Sequence, residues 1–215
     1  MTRLFLLFLL GLWVPTYASA STPEFRMWHF DEDRLEQLPP QFVIGTFVDG
    51  RPAGDWKVIT TPKALSPPNV FAQFRAKGAG YNVVLINDVQ AANLDLSVSF
   101  LPISGQTDMG GGLIWRATDD RNYYLTRANP LEQNIRLYHV VKGIRKMIGD
   151  YNEIIDIKKW HRLHVVNQGC RIQIFYDEKP IFDLCDETFK EGRIGLWTKS
   201  DAITYFDDLQ LHIAP

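Results

Sequence analysis

Through the C-terminal half of the chain, apolar side chains alternate with polar ones, and turn residues break the alternation at short intervals. The pattern closes in GRIGLWTKSDAITYFDDLQLHI, Gly192 to Ile213. A period of two sends successive side chains to opposite faces of an extended backbone, so each segment is a strand with one buried face. Upstream, DWKVITT, VFAQFRA, YNVVLIN and LDLSVSFLP carry the same signal, separated by Gly78, Gly80 and Asn93. Pro39-Pro40 and Pro67-Pro68 mark irregular connections, because proline cannot donate to a ladder. Three hairpins are readable: LIWRA and YYLTRAN around Asp119 to Asn122, IRLYHVV and IRKMIGD through Lys142-Gly143, and RIQIFYD and PIFDL around Glu178-Lys179. About fourteen antiparallel strands with no helical period between them cannot stay one open sheet. Two packed sheets are expected.

The N-terminal twenty residues read as an export signal. Arg3 supplies the positive start, Leu4 to Val14 form the apolar run, Pro15 breaks it, and Ala18-Ser19-Ala20 is a small-x-small cleavage site. The run is too short to cross about 30 Å of hydrocarbon. The expectation is a signal peptide over 1–20 and one domain over 21–215, periplasmic or extracellular after cleavage. No later stretch is apolar for long enough to span a membrane. Loss of Arg3 takes the formal charge from −2 to −3, and basic residues are interleaved with acidic ones. The basic stripe of a nucleic-acid binder is missing, so nucleic acid is not an expected partner.

Cys170 and Cys185 both survive cleavage and enter an oxidising space. They flank the RIQIFYD/PIFDL hairpin. In a two-residue-turn register they lie diagonally on one face, roughly 7 Å apart at Cα, at the edge of disulfide reach. A disulfide and two buried thiols both remain open. The five histidines include His161 and His164, whose spacing of three points the rings to opposite sides of a strand, unlike a zinc pair.

Four stretches, GGGLIWRATDDRNYYLTRAN, KKWHRLHVVNQG, IFYDEKPIFDLCDETFKEG and GRIGLWTKSDAITYFDDLQL, give the chain a resemblance to the concanavalin A-like lectin/glucanase superfamily. Within it, the chain looks like bacterial secreted 3-keto-disaccharide hydrolase-like, or family 16 glycoside hydrolase-like, domains. The resemblance implies an all-β, two-sheet antiparallel jelly-roll sandwich acting on glycans as a monomer. Its partner would be an oligosaccharide or polysaccharide. The Glu-x-Asp-x-x-Glu strand of family 16 glucanases has no counterpart here. The nearest acids, Glu153 with Asp156 and Asp183 with Asp186, are spaced to opposite strand faces. Binding is therefore expected ahead of classical hydrolysis, with 3-keto-glycoside hydrolysis or elimination and a structural role in the envelope as alternatives.

In jelly rolls of this type one side of a curved sheet is a sugar-binding trough. With Thr118 opposite Tyr123, one face of the central hairpin carries Ile114, Arg116, Tyr123, Leu125 and Arg127. The other carries Leu113, Trp115, Ala117, Tyr124, Thr126 and Ala128 and reads as core. Sugars take aromatic faces for their C–H surface and forked donors for their hydroxyls. Arg116, Tyr123, Arg127, Asn129 and Arg136 are the expected ligand contacts on a solvated face. Tyr124 takes that role if the faces are inverted, and Trp197, beside Gly195 on one strand face, is a further candidate. In the last strand Phe206 falls off the parity of Ile203, Tyr205, Leu209 and Leu211, which a bulge at Asp207-Asp208 reconciles. Asp207 and Asp208, with Asp31 from the adjacent N-terminal strand, could supply oxygens to a structural calcium ion or simply blunt a sheet edge.

Overall fold

The structure, a computed structural model, describes residues 24–47 and 49–214, so the expected signal peptide lies outside the described residues. Fifteen strands follow one another: β1 (Glu24–Trp28), β2 (Phe42–Ile44), β3 (Trp56–Thr60), β4 (Asn69–Gln73), β5 (Tyr81–Ile86), β6 (Asn93–Ser104), β7 (Gly111–Asp119), β8 (Asn122–Asn129), β9 (Asn134–Val141), β10 (Ile144–Asn152), β11 (His161–Gln168), β12 (Arg171–Tyr176), β13 (Lys179–Cys185), β14 (Arg193–Lys199) and β15 (Ile203–Ala214). Fourteen of them coincide with the alternating segments. The fifteenth, β2, is three residues between Pro40 and Gly45, too short to show a period. Among the described residues no helix is long and apolar enough to cross a membrane.

The strands form two antiparallel sheets. One runs β13-β12-β11-β6-β15-β4-β3, with β1 also paired to β15; the other runs β10-β9-β8-β7-β14-β5-β2. Between them lies the core, in which Phe71, Phe100, Trp115, Tyr124, Leu196 and Phe206 are fully buried. This is the two-sheet jelly-roll sandwich that the alternation predicts. The outer face of the seven-stranded sheet carries a second buried apolar cluster that includes Val83, Ile114, Tyr123, Leu125, Tyr138, Val140 and Trp197. That sheet is thus apolar on both faces.

Local registers depart from the sequence reading at three places. The β12–β13 turn is Asp177-Glu178, both with positive φ (46° and 65°), one residue earlier than expected, and a bulge follows Ile174. Cys185 then lies opposite Arg171, and the Cys170–Cys185 disulfide closes across a Cα separation of 4.8 Å. In the β7–β8 hairpin Trp115, not Ala117, faces Tyr124, and the ladder is irregular from Trp115 to Asp119 with Arg116 at φ 47°. This moves Ala117 from the expected core face to the outer cluster. The bulge expected at Asp207-Asp208 is present.

Candidate functional site: the outer trough of the seven-stranded sheet

Cross-strand pairing fixes which side chains share the outer face. Trp197 on β14 faces Gly112 on β7, Gly112 faces Arg127 on β8, Arg127 faces Arg136 on β9, and Arg136 faces Asp150 on β10. A second row sets Tyr123 opposite Val140 and Val140 opposite Arg145. Gly112, between Trp197 and Arg127, lets the neighbouring chain pack closely over it. A Cβ there would lie 2.7 Å from the Thr126 carbonyl oxygen and 2.8 Å from Leu125 Cδ1.

The Arg145 guanidinium lies 4.7 Å from the Tyr138 ring centre, 4.9 Å from that of Tyr81 and 5.7 Å from that of Trp197. Tyr81 and Trp197 are themselves 5.5 Å apart. Arg145 belongs to β10 and Tyr81 to β5, five strand positions away. In a flat sheet that separation is about 24 Å, beyond the combined reach of two side chains. The sheet therefore curls towards this face and makes it a trough.

At one end of the trough lies a polar network. Arg127 donates to the Asn134 side chain (2.6 Å), to Glu132 (2.9 Å) and to the Tyr138 hydroxyl (3.3 Å). Arg136 donates to Glu132 (2.6 Å) and Asp150 (2.9 Å). Asn129 and Lys199 both donate to Asp108, at 3.2 and 2.9 Å. Burial lifts Asp108 above the ordinary carboxylate range against the pull of Lys199. Burial also acts upward on Glu132, but Arg127 and Arg136 outweigh it and hold the group below that range. The loop bearing Asp108 is pinned by Asp201, whose carboxylate accepts from the backbone N–H groups of Gln106, Thr107 and Asp108.

Arg127, Asn129, Arg136, Tyr123 and Trp197, all expected from the sequence, meet in this trough, but the face is not solvated as expected. Arg127 is 3% exposed, Trp197 1% and Tyr123 0%, because large side chains from across the curled sheet cover them. Arg136 remains partly open. Arg116 and Tyr124 lie elsewhere. The left-handed backbone at Arg116 turns its guanidinium to the rim of the sandwich, where it donates to the carbonyls of Ala92, Gly169 and Phe189. There it borders a cavity of ≈ 220 Å³. Tyr124 stacks on Trp115 at 5.4 Å and donates to Asp186, with burial and that carboxylate pushing its hydroxyl up to about 12.

The residues expected to hold calcium do not fit a cation. The Asp207 carboxylate accepts from Leu65 N, Ser66 N and Ser66 Oγ. Asp208 takes Ser66 Oγ and His29, and Asp31 accepts from Asn69 N. Hydrogen-bond donors occupy the directions in which a metal would sit, so these acids brace the loop before β4. Among the described residues no group of three or more His, Cys, Asp or Glu is placed to hold a metal ion.

Sequence reasoning missed Tyr81, Asp108, Glu132, Tyr138, Arg145 and Lys199. Parity carried a signal for three of them: Lys199 shares it with Trp197, Tyr138 with Arg136, and Arg145 faces Val140 across the Lys142-Gly143 turn. Asp108 and Glu132 lie in turns, where no period exists.

No family model matches the chain. An 87-residue segment, 40% of the chain, is 29% identical to levanase of Bacillus subtilis, and it spans 13% of that protein's length. Among solved structures, carbohydrate-binding module CBM66 from Bacillus subtilis superposes with TM-score 0.65 at 20% identity, covering 79% of this chain and 94% of the module. A Crh5 transglycosylase superposes with TM-score 0.60 at 10% identity, covering 92% and 90%. With two antiparallel sheets in jelly-roll order and these structural neighbours, the chain has the concanavalin A-like jelly-roll fold.

Proposed function

We propose that the protein is an exported glycan-binding protein that takes an oligosaccharide, or one end of a polysaccharide, in the outer trough of the seven-stranded sheet. The observation that carries this reading is the union of two chemistries on one concave face. The half-buried Tyr81 ring stands with the buried rings of Tyr138 and Trp197 beneath Arg145, and the Arg127–Glu132–Arg136 and Asn129–Asp108–Lys199 networks stand beside them. Sugars are recognised by this pairing of ring contact with forked donors and carboxylates. The likeness to part of levanase makes levan the first polysaccharide to try.

The test is a glycan array followed by titration of the mature chain with the best hits. Arg136→Ala is the informative variant because Arg136 is partly exposed and not part of the core. It should keep the melting temperature and lower glycan affinity by about 1.5–3 kcal/mol, the range for a charge-assisted hydrogen bond. An array with no hit, or an unaffected Arg136→Ala titration, would sink the reading.

A hydrolytic reading rests on one observation. Asp108 and Glu132 both border this network with their proton affinities driven apart, the arrangement that acid–base pairs use. Incubation with 3-keto-glucosides and with plain β-glucans, read as new reducing ends, separates it from binding alone.

A further inference from the structure

Arg145 is the one trough cation described above that has no carboxylate against it. Arg127, Arg136 and Lys199 each pair with an acid within 2.9 Å. The Arg145 guanidinium instead lies over three aromatic rings, and among the described residues it forms no ion pair. In the apolar cluster that includes two of those rings, the Trp197 indole N–H is directed at the Tyr123 hydroxyl, both on side chains at least 99% buried. The hydroxyl itself meets no acceptor among the described residues, and a buried donor left unpaired is costly. Tyr123 and Arg145 share one transverse row on this face, so the guanidinium and the hydroxyl belong to one spot in the trough.

The guanidinium is held there by ring contacts alone, which are weak when the cation can return to water. Arg145 lies on an edge strand, next to a bulge between Met147 and Gly149, where a rotamer change disturbs no packed neighbour sheet. Its departure would uncover ring faces beside the Tyr123 hydroxyl. A quaternary ammonium could use the rings but could not accept from that hydroxyl. A sugar ring uses both: C–H surface on the aromatic faces, and a hydroxyl oxygen that accepts from Tyr123.

Resting on the glycan-binding reading, we propose that Tyr81, Tyr138 and Trp197 form a second, deeper sugar-ring subsite that Arg145 plugs in this structure. The ligand class is a neutral sugar ring that enters by displacing the guanidinium. The polar network at the end of the trough is then the outer subsite and the ring box the inner one.

The experiment titrates full-length wild type, Arg145→Ala, Tyr123→Phe and Trp197→Phe with levan-derived oligosaccharides and the array hits. Acrylamide quenching of tryptophan emission is measured in parallel without sugar. Arg145→Ala should raise the quenching contributed by Trp197, identified by its loss on adding Trp197→Phe. It should also tighten glycan binding by about two- to fivefold, the factor an exposed cation–π contact represents. Tyr123→Phe should change the melting temperature little, since its hydroxyl proton has no acceptor and only the contact from the Trp197 N–H is lost, yet weaken binding several-fold.

If wild type binds glycan and Arg145→Ala binds it equally or more weakly, the plug is overturned while the glycan-binding reading stands. If only Arg145→Ala binds, sugar does not displace the guanidinium in wild type, and the displaceable plug falls together with the glycan-binding reading. If neither binds, both readings fall. Capture of tetramethylammonium but no sugar by Arg145→Ala would overturn the ligand class.

Discussion

Arg127 illustrates how a binding residue becomes a structural one. Its guanidinium sits at the polar end of the trough and hydrogen-bonds only within β9 and the β8–β9 turn among the described residues: Asn134, Glu132 and Tyr138. Arg127→Ala would leave Glu132 without its buried partner, and the Asn134 side-chain oxygen without a donor. Glu132 is partly exposed, so solvent screens some of the loss, and the expected destabilisation is about 2–3 kcal/mol by urea denaturation. His161 sets a pH dependence. Its ring nitrogens lie 2.8 Å from Asp177 and 2.8 Å from the Asp156 carbonyl. Burial disfavours the imidazolium, but Asp177 outweighs it and raises the group above its ordinary 6.5. Asp177 is in turn held below 3.8: burial acts upward, and the hydrogen bond from His161 overcomes it. The histidine contribution is full below pH 6.5 and vanishes as pH rises through the raised value; the aspartate contribution is full above 3.8 and vanishes as pH falls through the lowered one. The stability advantage of wild type over His161→Gln should therefore shrink as pH rises from about 6.5 through the raised value; a flat difference would contradict the pair. Parity placed Tyr123 and Arg127 on the outer face, where the structure has them, but also Arg116, which a left-handed backbone turns to the rim; it did not show the burial, because the curl that covers them brings together strands far apart in sequence.

At the scale of elements, the Gly110-Gly111-Gly112 run shows why β7 begins where it does. Gly110 has φ 115°, and a Cβ there would come 2.0 Å from the Ala128 carbonyl oxygen. A Cβ on Gly111 would meet the Phe206 ring at 2.8 Å. The three glycines let β7 pass between β8 and β14 while β15 packs closely beneath. Gly110→Ala should thus cost at least about 1–3 kcal/mol from backbone strain alone, with further loss from the clash, seen as a lowered melting temperature. An unchanged melting temperature would mean the close approach relaxes freely. Fourteen strands were legible because each runs long enough to show its period, whereas β2 is not. The registers were less legible. The positive φ at Asp177 and Glu178 belongs to a two-residue hairpin turn, and that at Arg116 to an irregularity that sets three residues of β7 against one of β8; neither leaves a compositional trace. The disulfide is the consequence: the displaced turn and the bulge after Ile174 bring Cys185 beside Cys170 rather than diagonal to it.

The whole molecule buries apolar side chains on both faces of the seven-stranded sheet, one against the partner sheet and one in the trough where recognition is proposed. Trp115 and Trp197 belong to neighbouring strands, β7 and β14, yet point to opposite sides. Trp115 packs in the core and donates from its indole to Asn167 on β11, tying the two sheets together at 2.9 Å. Nothing in the trough touches that bond. A ligand bound in the trough at about 100 times its Kd should stabilise the fold by about 2.7 kcal/mol. For a chain of this size, that raises the melting temperature by about 5–10 °C. Trp115→Phe removes the indole N–H and orphans the Asn167 carbonyl, a loss of about 1–3 kcal/mol that lowers the unliganded melting temperature. If recognition is confined to the outer face, the glycan-induced increment should be the same in Trp115→Phe as in wild type, because the two free energies add for sites that share no partner. Arg136→Ala should show the reverse, an unshifted unliganded melting temperature and a smaller increment at the same glycan concentration. A smaller increment in Trp115→Phe would mean that ligand binding draws on the inter-sheet core. The trough would then be coupled to the packing of the eight-stranded sheet rather than built on one face alone.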